Sequence, residues 1–258
     1  MVPVLAFDIE TVPDVEGLRR LHGLDANVSD RQVAEMAFTL RRQAAGHDFL
    51  PLHLHRVIVI SCALRERDGF KTWSLGTADD GEGTLIQRFY DGLDKYTPQL
   101  VSWNGGGFDL PVLHYRGLIH GVRAARYWDT GEDNRDFKWN NYLGRYHARH
   151  CDLMDVLALY QPRANAPLSD LAQLAGLPGK LGMDGGDVWD AYQAGRHAEI
   201  RNYCETDVVN TYLLYLRFQR MRGVLEDAQY RSECEIVRTT LTKSTEPHWK
   251  GFLARWRG

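Results

Sequence analysis

The sequence predicts an α/β protein in which a mixed β-sheet carries helices on its faces. Three observations point there. Apolar runs of strand length near the start are joined by a hairpin signal; strand-like and helix-like periods then alternate; and no repeat, low-complexity tract or Pro-rich linker divides the chain. The 258 residues are read as one domain, with a helical insertion at about 14–50 and a basic aromatic tail at about 243–258.

The elements follow in order. Residues 2–7 form an apolar run of buried-strand character, which closes on Asp8-Ile9-Glu10. Asp8 and Glu10 are two apart, so the pleat sends both carboxylates to one face. Like charges held together repel unless a cation lies between them. By itself, a D-x-E is also what a strand running into a solvated acidic turn looks like. Pro13 and Gly17 mark a loop, and Ser29 with Gln32 forms a capping box for a helix carrying Val33, Met36, Ala37, Leu40 and Ala44 on one face. Arg19, Arg20, Arg31, Arg41 and Arg42 give this insertion a basic outer face, read as solvated. Residues 56–64 and 70–75 are the second and third strands, with Asp68-Gly69 as the turn between them. Residues 83–95 place Leu85, Ile86, Phe89 and Leu93 at helical spacing, and 100–103 is a short fourth strand. Asn104-Gly105-Gly106-Gly107 breaks that strand, and a helix starts near Phe108. Shorter helices are expected at 168–175 and 187–194, and a long one at about 197–222.

Composition narrows the function. The net charge of −3 provides no global basic field for gripping long duplex through its phosphates. It is compatible with an acidic cluster whose bound metal ions carry the positive charge. The four cysteines lack C-x-x-C spacing, so neither a zinc site nor a disulfide framework is expected, and a reducing cytoplasm is the expected location. No apolar run approaches the ~20 residues of a membrane span.

Two further stretches give the first one meaning. Asp109 falls in the first turn of its helix, where the macrodipole favours a carboxylate, as it would for any ordinary N-terminal acid. The glycines before it lack the lysine and Ser/Thr of a phosphate-binding loop. Tyr203 and Asp207 are four apart on a helical pattern and share a face; seen alone, they read as a buried tyrosine and a surface aspartate. Asp152 is expected to cap a helix at 153–157, and Lys180 to sit in a solvated turn. Asn104 either fixes its loop or binds substrate.

Together, Asp8 and Glu10, then Asn104, Phe108 and Asp109, then Tyr203 and Asp207 resemble the DEDD superfamily of 3′–5′ exonucleases. In particular, the chain resembles bacterial proteins described as predicted 3′–5′ exonucleases related to the proofreading domain of family B DNA polymerases. The resemblance extends through 150–154, 177–180 and 203–217 and implies a ribonuclease H-like fold. Tyr203, four before the last aspartate, marks the Y subclass; the H subclass has a histidine where this chain has Asn202. The resemblance implies two divalent cations, Mg²⁺ or Mn²⁺. Asp8 bridges them, Glu10 and Asp207 complete the nucleophile-side site, and Asp109 holds the second ion through water. Tyr203 orients the attacking water. The expected substrate is a single-stranded DNA 3′ end. RNA is the alternative, because no feature reads a 2′-hydroxyl, and a non-catalytic nucleic-acid-binding protein of the same fold is a second alternative. The length and the lack of polymerase motifs imply a stand-alone enzyme or one recruited by a repair or replication partner.

Residues 126–149 hold six aromatic and five basic side chains, a pattern suited to stacking bases while tracking phosphates. Trp139 and Tyr142 are therefore expected, with Asn104 and Phe108, to contact substrate. The competing expectation is that several of these rings are simply core.

Overall fold

β1 (Val4–Pro13) lies at the centre of a five-stranded sheet of order β3-β2-β1-β4-β5. The computed structural model describes residues 2–76 and 80–257. β2 (His55–Glu66) and β3 (Gly69–Ser74) add antiparallel on one side, as the hairpin signal predicts. β4 (Gln99–Ser102) and β5 (His150–Asp152) add parallel on the other. α1 (Val15–His22) and α2 (Asp30–Ala45) separate β1 from β2. α3 (Glu82–Tyr96) precedes β4, and α4 (Asp109–His120) follows it. The short α5 (Ala125–Trp128) leads towards β5. After β5 come α6 (Leu153–Leu157), α7 (Leu168–Leu174), α8 (Val188–Gln193), α9 (His197–Met221), α10 (Asp227–Lys243) and α11 (His248–Arg255). Among the described residues, no helix is long and apolar enough to cross a membrane.

The period-two pattern of β1 decides what each face holds. Leu5, Phe7 and Ile9 pack with Leu85, Ile86 and Phe89 of α3 and Leu110 and Leu113 of α4. The alternate residue Ala6 packs instead with Tyr212 and Val208 of α9. Ala6 faces Ala63 on β2, a small-on-small pair that lets the long helix lie close to the sheet. One pleat further on, Asp8 continues the Ala6 row, so it too points at α9.

Four features differ from the sequence expectation. β1 runs on through Asp8 and Glu10 to Pro13, with a bulge between Glu10 and Thr11, so the acidic pair sits within the strand and not in a turn beyond it. β5 has no counterpart among the expected strands; it is three residues long, too short for periodicity to reveal. On α2 the buried stripe is Val33, Ala34 and Ala37, while Leu40 is exposed. The basic stretch read as a tail folds back as α11, with Trp249 and Trp256 buried.

Candidate active site

Three segments bring four carboxylates together under the N-terminal half of α9. Asp8 and Glu10 arrive on β1. β4 ends at Ser102, which leaves the β1 edge unpaired beyond Ala6. Asp109, the first residue of α4, fills that gap, and its Oδ1 accepts the Ile9 N–H at 3.1 Å. Asp207 and Tyr203 share the buried face of α9.

The turn leading to Asp109 is built for close approach. Asn104 takes a left-handed conformation (φ 66°), and a Cβ on Gly105 would meet Ser102 Oγ at 2.4 Å. Asp152, besides capping α6, accepts the N–H groups of Asn104 at 2.9 Å and Gly106 at 2.7 Å. Those donors are thereby consumed inside the protein, in keeping with the lack of a phosphate-loop signature.

The electrostatics are strained. Burial, followed by the charges of Asp109 and Asp207, raises the Asp8 carboxyl well above its usual range. Glu10 is raised likewise by burial, Asp8, Asp207 and Asp109. Burial pushes Asp109 up to about 7 against the pull of backbone N–H groups, and Asp207 up to about 6 against Lys180 and Tyr203. Asp207 Oδ1 is buried with no hydrogen-bond partner in the protein. Ligand atoms of Asp8, Glu10 and Cys204 lie within 4.8 Å of one another, a group able to hold a metal ion. A carboxylate-rich donor set with an orphaned oxygen fits hard divalent cations, which take oxygen ligands.

Tyr203 lies one helical turn before Asp207 on the same buried face of α9. Burial and the neighbouring carboxylates Asp207, Glu10 and Asp8 raise its pKa strongly, so it stays protonated. Lys180 is a partly exposed residue whose Nζ pairs with Asp184 Oδ1 at 2.6 Å; it also lies 5.6 Å from the Tyr203 ring centroid, and its charge acts on Asp207 and Glu10. Burial, then the Asp8 and Glu10 charges, raises the Cys204 thiol. Composition gave no signal for Lys180 or Cys204, whose roles arise only from the folding of distant segments.

A cleft of about 720 Å³ opens beside Glu10. Asn104 and Phe108 line it, as do Phe38, Arg42 and Phe49 from the insertion and Trp189 from α8. The Phe49 ring, 53% exposed, lies 5.8 Å from the Phe108 ring centroid. Neither Trp139 nor Tyr142 lines this cleft. Tyr142 corrects the expectation for residues 126–149. It is 2% exposed, stacks on Tyr127, and donates its hydroxyl to the Pro98 carbonyl at 2.6 Å. Phe137 is fully buried, with Arg126 and Arg149 packed over its ring. Those rings are core and the two arginines partly buried, whereas Trp139, beside Lys138, is exposed, as are Trp128 and Tyr146.

A family described as predicted 3′–5′ exonucleases related to the exonuclease domain of PolB matches residues 47–256. The chain belongs to this family. Membership assigns it a predicted 3′–5′ exonuclease activity, and with it a nucleic-acid substrate. The matched span begins after β1, so Asp8 and Glu10 lie outside it. The DNA polymerase epsilon catalytic chain of Saccharomyces cerevisiae is 25% identical over 145 residues, which is 54% of this chain and 6% of that protein. Its Schizosaccharomyces pombe counterpart is 23% identical over 139 residues, 52% of this chain and again 6% of the relative. The chain thus spans a small part of the length of these relatives. The family B DNA polymerase of the archaeon Pyrobaculum calidifontis superposes with a TM-score of 0.50 at 19% identity, covering 99% of this chain and 29% of that one. The mixed sheet with flanking helices is therefore the ribonuclease H-like fold of the PolB exonuclease domain.

Proposed function

We propose that this exonuclease is of the two-metal DEDDy type and removes nucleotides from single-stranded DNA 3′ ends. The observation carrying this reading is the convergence of Asp8, Glu10, Asp109 and Asp207 in a buried site where their charges are mutually uncompensated and Asp207 Oδ1 has no protein partner. Two bound divalent cations, Mg²⁺ or Mn²⁺, would supply Lewis acidity and a hydroxide at neutral pH. Asp8, Glu10 and Asp207 would hold the ion on the nucleophile side, and Asp8 with Asp109 the other. Tyr203 keeps its proton and so acts as a donor that orients the attacking water, not as its base. Lys180, paired with Asp184 and acting on Asp207 and Glu10, would add positive charge beside the scissile phosphate.

On the substrate side, Asn104 and Phe108 keep their role, and Phe49 and Trp189 replace Trp139 and Tyr142. The exposed Phe49 ring beside Phe108 offers a stacking platform for a terminal base. A duplex end has to fray before its last base can enter such a cleft. The test uses 5′-labelled single-stranded DNA, single-stranded RNA, mispaired-end duplex and blunt duplex, each with Mg²⁺ or Mn²⁺. Single-stranded DNA and mispaired ends should be shortened fastest and blunt duplex slowest. Equal rates on the three DNA ends refute the single-strand reading, faster cleavage of RNA reassigns the substrate, and no cleavage with either metal refutes the nuclease.

A further inference from the structure

Behind Asp8 lies a buried polar row that the proposed chemistry does not use. In the sheet register Asp8 pairs with Ser61, and Ser61 pairs with Ser74. Ser61 and Cys204 have no exposed surface, and Ser74 has 8%. The Ser74 hydroxyl donates to Glu205 Oε1 at 2.8 Å, and Ser61 Oγ lies 2.9 Å from Ser74 Oγ. Because Ser74 spends its hydrogen on Glu205, Ser61 must donate to Ser74. Its hydrogen is then unavailable to its strand partner Asp8. The side chain that does reach Asp8 from α9 is Cys204, whose thiol donates to Oδ2 at 3.4 Å and also lies 3.5 Å from the Asp8 carbonyl oxygen.

We propose that Cys204 is a positioning residue for Asp8: its thiol hydrogen bond holds the carboxylate in the orientation in which it meets Glu10 and Asp207 and takes a divalent cation. The inference rests on the reading of the carboxylates as a metal site. Hard cations take oxygen, so sulfur here serves as a donor to a ligand and not as a ligand itself. Groups that orient metal ligands in this way typically change metal affinity by ~10–100-fold when removed. A serine keeps a donor at this position; an alanine does not.

The experiment is calorimetric titration of Mn²⁺ into metal-stripped wild type, Cys204→Ala and Cys204→Ser, with thermal melts to verify folding. Affinity should fall about tenfold or more in Cys204→Ala and return close to wild type in Cys204→Ser. Wild-type affinity in Cys204→Ala, or equal losses in both variants, overturns the inference. A second measurement needs only wild type and the serine variant. Their infrared difference spectrum should show an S–H stretch shifted by hydrogen bonding, and its absence overturns the proposal. Adding Cd²⁺ to the wild type should give no sulfur-to-metal charge-transfer absorption; such a band would make Cys204 a ligand. A wild type that takes up no Mn²⁺ sinks the metal-site reading instead, which distinguishes the two failures.

Discussion

Two of the places where the molecule buries charge are built in opposite ways. At one, Arg116 of α4 (3% exposed) donates to Asp14 Oδ2 and Glu82 Oε2, each at 2.5 Å, and its Nε donates to Glu82 Oε1 at 2.8 Å. The same carboxylates also serve the backbone: Glu82 takes the Val57 N–H, and Asp14 caps α1 through Gly17. At the other, burial raises all four carboxyls, the charges of Asp109 and Asp207 raise Asp8 and Glu10 further, and an Asp207 oxygen is left without a protein partner. Burial alone therefore does not mark a functional site. The Arg116 cluster brings its own cation and ties the insertion to α3 and α4. Among the described residues, the cation whose charge acts on the β1 cluster is the partly exposed Lys180, itself paired with Asp184, so the proposed metal ions would supply the rest of the compensation.

The sharpest way to break this contrast is to remove one charge from each cluster. Asp8→Asn should lower exonuclease activity by three powers of ten or more, since lost metal stabilisation is worth several kcal/mol and each 1.36 kcal/mol is tenfold. The same change should raise the melting temperature of the metal-free protein by relieving repulsion. Substantial activity in rigorously purified Asp8→Asn rules out the assignment. Arg116→Met should do the reverse, costing about 3–5 kcal/mol in urea unfolding because two buried carboxylates lose their partner. Added metal should not rescue it. An Arg116→Met protein as stable as wild type would erase the distinction between the clusters.

Smaller effects sharpen the picture. Tyr203→Phe should cut kcat about a hundredfold, the lower end for a positioning or proton-transfer group, with single-strand affinity nearly unchanged. A loss confined to affinity would place Tyr203 on the substrate. The mildest prediction concerns pH. Asp109 and Asp207 have folded values of about 7 and 6, above their ordinary 3.8. A group raised in this way gives stability that is complete below the unfolded value and is lost as pH climbs through the folded one. Metal-free protein should therefore weaken progressively from about pH 4 to pH 7. Mg²⁺ or Mn²⁺ should restore stability at pH 7.5 and do little at pH 5. Metal-free melting temperatures that rise over that window contradict the cluster's electrostatics.

Much of this was legible in the residues, for identifiable reasons. Alternation by two along β1 placed Asp8 and Glu10 on one face, and spacing by four put Tyr203 with Asp207; both are local periodicities that tertiary contacts did not override. The hairpin at Asp68-Gly69 and the capping box at Ser29 are likewise written within a few positions. What could not be read depends on distant segments meeting. The aromatic density of 126–149 could not distinguish rings packed inward, such as Tyr142 and Phe137, from the outward Trp139, because aromatic side chains serve both purposes. The cleft wall from α2 and Phe49, the hold of Asp152 on the Asn104 turn and the approach of Lys180 to Tyr203 all bring together groups from different segments.

The bond from Ile9 to Asp109 joins positions 100 apart in the chain, and that from Cys204 to Asp8 joins positions 196 apart. Contacts of such long range are assembled late, since the entropy of closing large loops must be overcome before they return any stability. During synthesis, a ribosome-bound N-terminal portion carries β1 with its acidic pair but has no Asp207 or Tyr203. The proposed four-carboxylate site is thus complete only once α9 has docked on the sheet.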